Sequence, residues 1–330
     1  MKKRILAAFL SVLIIVSLIA VSRKYFRKTQ NKTPEKITVL LDWFPNTNHT
    51  GLYVAKENKY FSDSGLEVEI IQPSEGENIQ VVAAGKAQFA VSSQEAVTMA
   101  RAEDIPVVSI AAVIQHNTSA FASLKDSNIR TVRDFEGKRY GGWGSPVEEA
   151  VLKAVMGEAG ADYSKLENVT IGTTDFFTTI GRDSDFQWIF YGWDGIAAQQ
   201  RGIDMNLIYL KDLSPVLDYY TPVLISSENY IKNKKDLAEK FTRAVARGYQ
   251  YSIDHPDRAA EILIKNAPEL DRDLVNASQE WLSKRYRADT ENWGRQDLSV
   301  WQRYVDWLFT NKLIKKQIEA GSAFTNELLP

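Results

Sequence analysis

Five short stretches gather the side chains suited to holding a small molecule, and none supplies a set able to break a bond. The first is Leu40-Leu41-Asp42-Trp43-Phe44-Pro45-Asn46-Thr47-Asn48-His49. Trp43 can stack on a flat ring, while Asp42 and Asn46 can read hydrogen-bond donors and acceptors. His49 suits a ligand contact or a cap on a helix starting near Thr50 equally well. In the second, Phe89-Ala90-Val91-Ser92-Ser93-Gln94-Glu95, Ser92 and Ser93 end a strand where a helix should begin. Their hydroxyls and the free N–H groups there can anchor an acceptor, or can simply cap the helix with Glu95 in its first turn.

The third stretch is Tyr140-Gly141-Gly142-Trp143-Gly144-Ser145-Pro146-Val147-Glu148-Glu149. Its glycines let backbone approach a ligand under the cover of Trp143, with Glu148 just inside a helix that Pro146 starts. It lacks the lysine of a phosphate loop and the GxGxxG spacing. A glycine turn with a packed tryptophan and first-turn glutamates is the plain alternative. The fourth, Gln187-Trp188-Ile189-Phe190-Tyr191-Gly192-Trp193-Asp194-Gly195, places Tyr191, Trp193 and Asp194 past the end of a strand. The fifth is Asp218-Tyr219-Tyr220, where Tyr220 can close over a ligand or serve as ordinary packing. Gly-x-Ser-x-Gly does not occur, and no histidine stands with a serine and an acid. Aromatic rings with scattered polar readers indicate binding rather than catalysis, with no cofactor.

Composition narrows the ligand. The chain has 330 residues, no cysteine, and three histidines, His49, His116 and His255, without metal-ligand spacing. Disulfides, thiolate metal sites and iron–sulfur clusters are excluded, and a histidine metal centre is not expected. Eight of the 40 Lys and Arg lie in residues 1–32 and none of the 42 Asp and Glu do, which leaves the body at a net charge of −10. That surface disfavours nucleic acid.

The elements that must position these stretches alternate between strand and helix. Strands are expected at 37–41, 66–72, 89–92 and 107–113, then at 139–142, 169–173, 187–191 and 207–210, and finally at 222–226. Helical patterns fill the intervals, and a long helical tail follows 229. Phe241, Val245 and Gly248 recur at helical spacing. In a parallel α/β sheet, ligands gather at the carboxyl ends of the strands, where the first four stretches all fall. Two such sets predict two lobes, 33–122 with 222–330 and 123–221, closing around a ligand by hinge bending. The crossings are expected near 118–130 and 212–221.

Ahead of the body, Lys2-Lys3-Arg4 precede an uncharged apolar run from Ile5 to Val21, and Arg23, Lys24, Arg27 and Lys28 follow it. Residues 1–32 therefore read as an export signal or membrane anchor with a linker. The basic patch directly after Ala20-Val21-Ser22 favours an uncleaved anchor with the body on the outer face of the membrane, over cleavage and secretion.

The segments Leu41–His49, Gly142–Glu148, Tyr191–Asp194 and Phe324-Thr325-Asn326-Glu327 resemble the thiamin-pyrimidine-precursor family of solute-binding proteins. The similarity runs from about Lys36 to the C-terminus. It implies a two-lobed type II periplasmic-binding fold, an aminopyrimidine ligand of the formylaminopyrimidine type, and delivery to the permease and ATPase of an ABC importer. The same family includes fungal-type enzymes that make the thiamin pyrimidine. Their iron-binding cysteine segment falls near Val216–Tyr220 here, and their cofactor lysine and sacrificial histidine fall near Ser92 and Ala96. None of these residues can do that chemistry, so an enzyme of this type is not expected. A receptor for a flavin precursor or a sulfonate stays open, although no stretch carries the central cation a sulfonate wants.

Overall fold

The computed structural model describes residues 33–72, 78–172 and 174–330. The expected anchor and linker at 1–32, and the last residue of the strand expected at 169–173, lie outside the described residues. Among the described residues, no helix is long and apolar enough to cross a membrane.

The chain lays down β1 (Glu35–Leu40), β2 (Leu66–Ile71), β3 (Phe89–Ser92) and β4 (Val107–Ala112), then β5 (Ser119–Leu124), β6 (Arg139–Gly142), β7 (Glu167–Thr170), β8 (Phe186–Phe190) and β9 (Met205–Tyr209), and last β10 (Val223–Ser227). These form two five-stranded sheets, ordered β2-β1-β3-β10-β4 and β7-β6-β8-β5-β9. Each sheet carries one reversed strand: β10 runs antiparallel to β3 and β4, and β5 antiparallel to β8 and β9. Each is also the first strand after the chain changes sheets, through 113–118 on the way out and 210–222 on the way back. Ser278 bonds both Thr47, past the end of β1, and Gly192 O, past the end of β8, so the carboxyl ends of these two strands meet at one junction.

The first crossing comes earlier than the sequence suggests, and a lobe boundary at 122/123 falls inside β5. Ser119-Ala120-Phe121-Ala122-Ser123 carries a single large apolar side chain, so it shows no strand alternation. It is buried throughout because β5 lies between β8 and β9 rather than at an edge. Phe121 is the hub of the second lobe, meeting Phe135, Tyr140, Phe186 and Trp188 edge-on at 5.3–6.1 Å.

In the first lobe, Phe241 stacks flat on Phe89 at 3.8 Å, with Phe61 beyond at 5.4 Å. The helices Thr50–Glu57 and Lys235–Asp254 cross at Gly51 and Gly248. A methyl group at Gly248 would sit 2.0 Å from the Gly51 carbonyl oxygen, so no side chain fits there. On the other face, Trp301 and Val305 of the helix Leu298–Thr310 fill the core, and Phe324 stacks on Trp301 at 5.5 Å. The Phe324–Glu327 motif is thus structural. Ser109 N–H donates to Ala323 O and Thr325 N–H to Ser109 O, covering the open edge of β4.

The crossings are tied to each other. Asp218 accepts from the Asn117 N–H (2.9 Å) and pairs with His116 Nδ1 (2.7 Å), while Asn117 Nδ2 donates to Leu217 O (2.8 Å). Asp289 reaches His116 Nε2 at 3.2 Å.

Candidate functional site

The loop after β1 is rigid because it is bonded from behind. Asn46 and His49 form a reciprocal cap: Asn46 N–H donates to His49 Nδ1 (3.2 Å), and Asn46 Oδ1 accepts from Asn48 N–H (2.8 Å). Nδ1 is therefore the acceptor, so Nε2 carries the proton and donates to Asp42 Oδ1 at 2.7 Å. Tyr249 and Tyr286 donate their hydroxyl protons to Asn48 O and Thr47 O, both at 2.6 Å. His49 is 0 % exposed, and its ring fixes Asp42. The Asn46 amide is buried likewise and also donates to Phe44 O (3.0 Å). What this bracing presents outward is Trp43, 47 % exposed, with Phe44 against its edge at 5.9 Å.

The second lobe repeats the arrangement after its own β6. Trp143 is 43 % exposed and rests edge-on against Trp188 at 5.5 Å. Glu148 folds back beneath it. One carboxylate oxygen accepts from Tyr140 Oη (2.6 Å) and Trp143 N–H (3.2 Å), the other from Ser145 N–H (2.8 Å). At 3 % exposure Glu148 closes a capping box instead of offering a free acceptor. A Cβ at Gly142 would lie 2.5 Å from its Oε1, which explains the glycine. The carboxylate beneath it and burial together hold the Tyr140 phenol well above its usual range, burial being the larger cause.

Of the remaining expected residues, Ser93 caps the helix Gln94–Ala102 by accepting from Ala96 N–H (3.1 Å), and Ser92 is buried at the end of β3. Tyr220 is buried, and its hydroxyl accepts from Asp297 N–H (2.9 Å). Tyr191, Trp193 and Asp194 lie on a π-helical turn, Tyr191–Gly195, that docks on the first lobe. Ser278 donates to Gly192 O, Trp193 packs on the first lobe's core, and Tyr191 meets Trp281 at 5.0 Å. Burial, helped by the Asp175 charge, pushes the Asp194 carboxyl up to about 6.

The structure thus brings Trp43, Phe44, Trp143 and Phe190 to strand carboxyl ends as exposed rings. Leu298 and Phe309, both on the helix Leu298–Thr310, are the other exposed large hydrophobic residues among those described. Sequence reasoning passed over Glu95 as a dipole-matching glutamate, yet its surroundings push its carboxyl up to about 7, through burial first and the Glu148 charge second. It also passed over Arg285, whose guanidinium lies 3.4 Å over the Trp281 ring at the contact between lobes. Nothing in the local sequence around 285 signals that contact.

A profile of the family described as NMT1/THI5 like matches residues 46–259. The chain belongs to that family. It is 30% identical to a formylaminopyrimidine-binding protein from Halalkalibacterium halodurans, over 88% of this chain and 90% of that one. It is 23% identical to a 4-amino-5-hydroxymethyl-2-methylpyrimidine phosphate synthase from Legionella pneumophila, over 89% of this chain and 92% of the other. Among solved structures, the periplasmic aliphatic sulphonate binding protein SsuA from Escherichia coli superimposes with a TM-score of 0.71 at 13% identity, covering 88% of this chain and 97% of that one. The fold is accordingly the two-lobed α/β fold of periplasmic binding proteins.

Proposed function

We propose that this NMT1/THI5 like protein is the extracytoplasmic receptor of an ABC importer, binding an aminopyrimidine precursor of thiamin between its lobes. The observation that carries the reading is the pair of half-exposed tryptophans, Trp43 and Trp143. Each follows a parallel strand of its own lobe and is held by a capped, fully bonded loop. Two indoles on opposed lobes suit a flat, uncharged heterocycle, which closure would place between them. The likeness to a formylaminopyrimidine-binding protein supplies the ligand class.

In this reading Asp42, oriented by His49, is a polar contact, and Ser92 and Ser93 border the site. Asn46, His49, Glu148 and Tyr220 act by shaping it. Tyr191, Trp193 and Asp194 form the contact the lobes make beside it. Receptor rather than synthase is favoured by Ser92 and Ala96, which offer neither an amine for a Schiff base nor an imidazole. The apolar run at 5–21 would hold the body at the outer face of the membrane, within reach of permease and ATPase partners.

A thermal-shift panel tests this. Hydroxymethylpyrimidine and formylaminopyrimidine should raise Tm, since a ligand at ~100 times its Kd adds about 2.7 kcal/mol of stability. Stabilisation by an alkanesulfonate or riboflavin, with none from either pyrimidine, overturns it.

A further inference from the structure

The helix Arg272–Ser283 buries Val275, Ser278, Gln279 and Leu282 at helical spacing, and Val275 and Leu282 join the first lobe's core. Ser278 is fully buried, so its hydroxyl needs partners inside the protein. It has two. Its single proton goes to Gly192 O, a carbonyl that can only accept. The Thr47 hydroxyl, 2.6 Å away, therefore donates its own proton to Ser278 Oγ.

These two partners belong to different lobes. Thr47 opens the turn Thr47–His49 just after Trp43, and its carbonyl is held by the Tyr286 hydroxyl. Gly192 lies in the turn Tyr191–Gly195, directly past the exposed ring of Phe190 at the end of β8. A Cβ at Gly192 would stand 3.2 Å from the Leu282 and Trp281 side chains, so glycine lets the backbone of this turn rest on the helix itself. Outside the crossings at 113–118 and 210–222, the Ser278–Gly192 bond is the one hydrogen bond or ion pair that joins the lobes among the described residues. The same hydroxyl carries that link on to the loop behind Trp43.

We propose that Ser278 is a positioning residue for ligand binding: through Thr47 and Gly192, its hydroxyl sets the spacing between the loop that carries Trp43 and the strand end that carries Phe190. This rests on the receptor reading above. With both bonds in place, the two faces of the cleft stand at their bound spacing before a ligand arrives, and binding has little left to order. Without them Gly192 O and the Thr47 hydroxyl lose their partner, and the ligand has to impose the spacing itself. Affinity then falls although no contact to the ligand has been removed.

Calorimetry of the full chain with hydroxymethylpyrimidine tests it. Thr47→Val keeps the branched shape but removes the donated proton, and should raise Kd about fivefold. Thr47→Ser keeps the hydroxyl and should stay within about twofold of wild type. Ser278→Ala breaks both bonds and should raise Kd about tenfold or more. The double variant should bind no more weakly than Ser278→Ala alone, to within about twofold, because the two hydroxyls form one chain. A hydroxyl that only supports the fold would lower Tm and leave Kd alone. A Kd within about twofold of wild type in folded Thr47→Val and Ser278→Ala proteins therefore overturns the assignment, as do losses that multiply in the double variant. Hydrogen exchange on the wild type needs no variant. Hydroxymethylpyrimidine should slow amide exchange in the helix 272–283 together with the turns 47–50 and 191–195, and slowing confined to the turns overturns the assignment. Either failure leaves the receptor reading standing, whereas no binding of any aminopyrimidine by the wild type overturns both.

Discussion

Trp43→Ala tests the stacking platform most sharply. The ring is 47 % exposed, and its covered part rests on Phe44 and the loop that His49 and Asn46 cap. A tryptophan side chain exposes up to ~250 Å² when free, so a ligand laid over the uncovered part removes on the order of 100 Å² of apolar surface on the protein side. At ~25 cal/mol per Å² that is about 2.5 kcal/mol, and the range for a central aromatic anchor is ~2–4 kcal/mol. Kd should therefore rise roughly 100-fold, while Trp43→Phe, which keeps a ring, should recover most of the loss. Since the ring is half exposed and fills no core cavity, Tm should move by only about 1–2 °C. Calorimetry with formylaminopyrimidine reads the affinity, and a thermal melt checks the fold. A folded Trp43→Ala protein whose Kd stays within about twofold of wild type refutes the reasoning.

Three further outcomes follow from the frame. Gly248→Ala drives a methyl into the Gly51 carbonyl oxygen and should cost at least ~1–3 kcal/mol, seen as a lower urea midpoint at unchanged slope. Tyr286→Phe removes the donor to Thr47 O and should cost about 1 kcal/mol, with faster amide exchange in the 47–50 turn. His116 carries a pH signature. Its hydrogen bond to Asp218, with Asp289 adding and burial opposing, raises the imidazole above its ordinary value. A group raised on folding stabilises fully below its unfolded pKa of ~6.5, and that stability is lost as pH climbs through the folded value. The Tm advantage of wild type over His116→Gln should accordingly be largest near pH ~6 and shrink toward pH ~9. An advantage that grows with pH contradicts the hinge pairing.

The fold was legible wherever burial writes a pattern. β6 runs over Arg139–Gly142 as its sequence predicts, and the aliphatic run ending at Leu41 is β1 to within two residues. β5 was not legible, because a central strand built of serine and alanine has no contrast between its faces. At the site, the exposed tryptophans could be placed from strand-end logic alone. The surroundings of Glu148 and Glu95 could not. Both are first-turn glutamates and look alike in sequence. Only the fold shows that Glu148 is bonded three times over by its own loop while Glu95 has no hydrogen bond among the described residues. The partner of the Tyr220 hydroxyl, Asp297 N–H, was hidden for a similar reason. The neighbouring Tyr219 and the segment around Asp297 draw Tyr220 into the first lobe, and that long-range contact leaves no local trace.

The central claim is that this cleft takes an aminopyrimidine. Titration calorimetry of the purified full chain with formylaminopyrimidine measures it directly. Saturable one-to-one binding with a Kd of about micromolar or tighter, near −8 kcal/mol, is the expected result. No heat and no thermal stabilisation with formylaminopyrimidine or hydroxymethylpyrimidine, from protein that melts cooperatively, would contradict it.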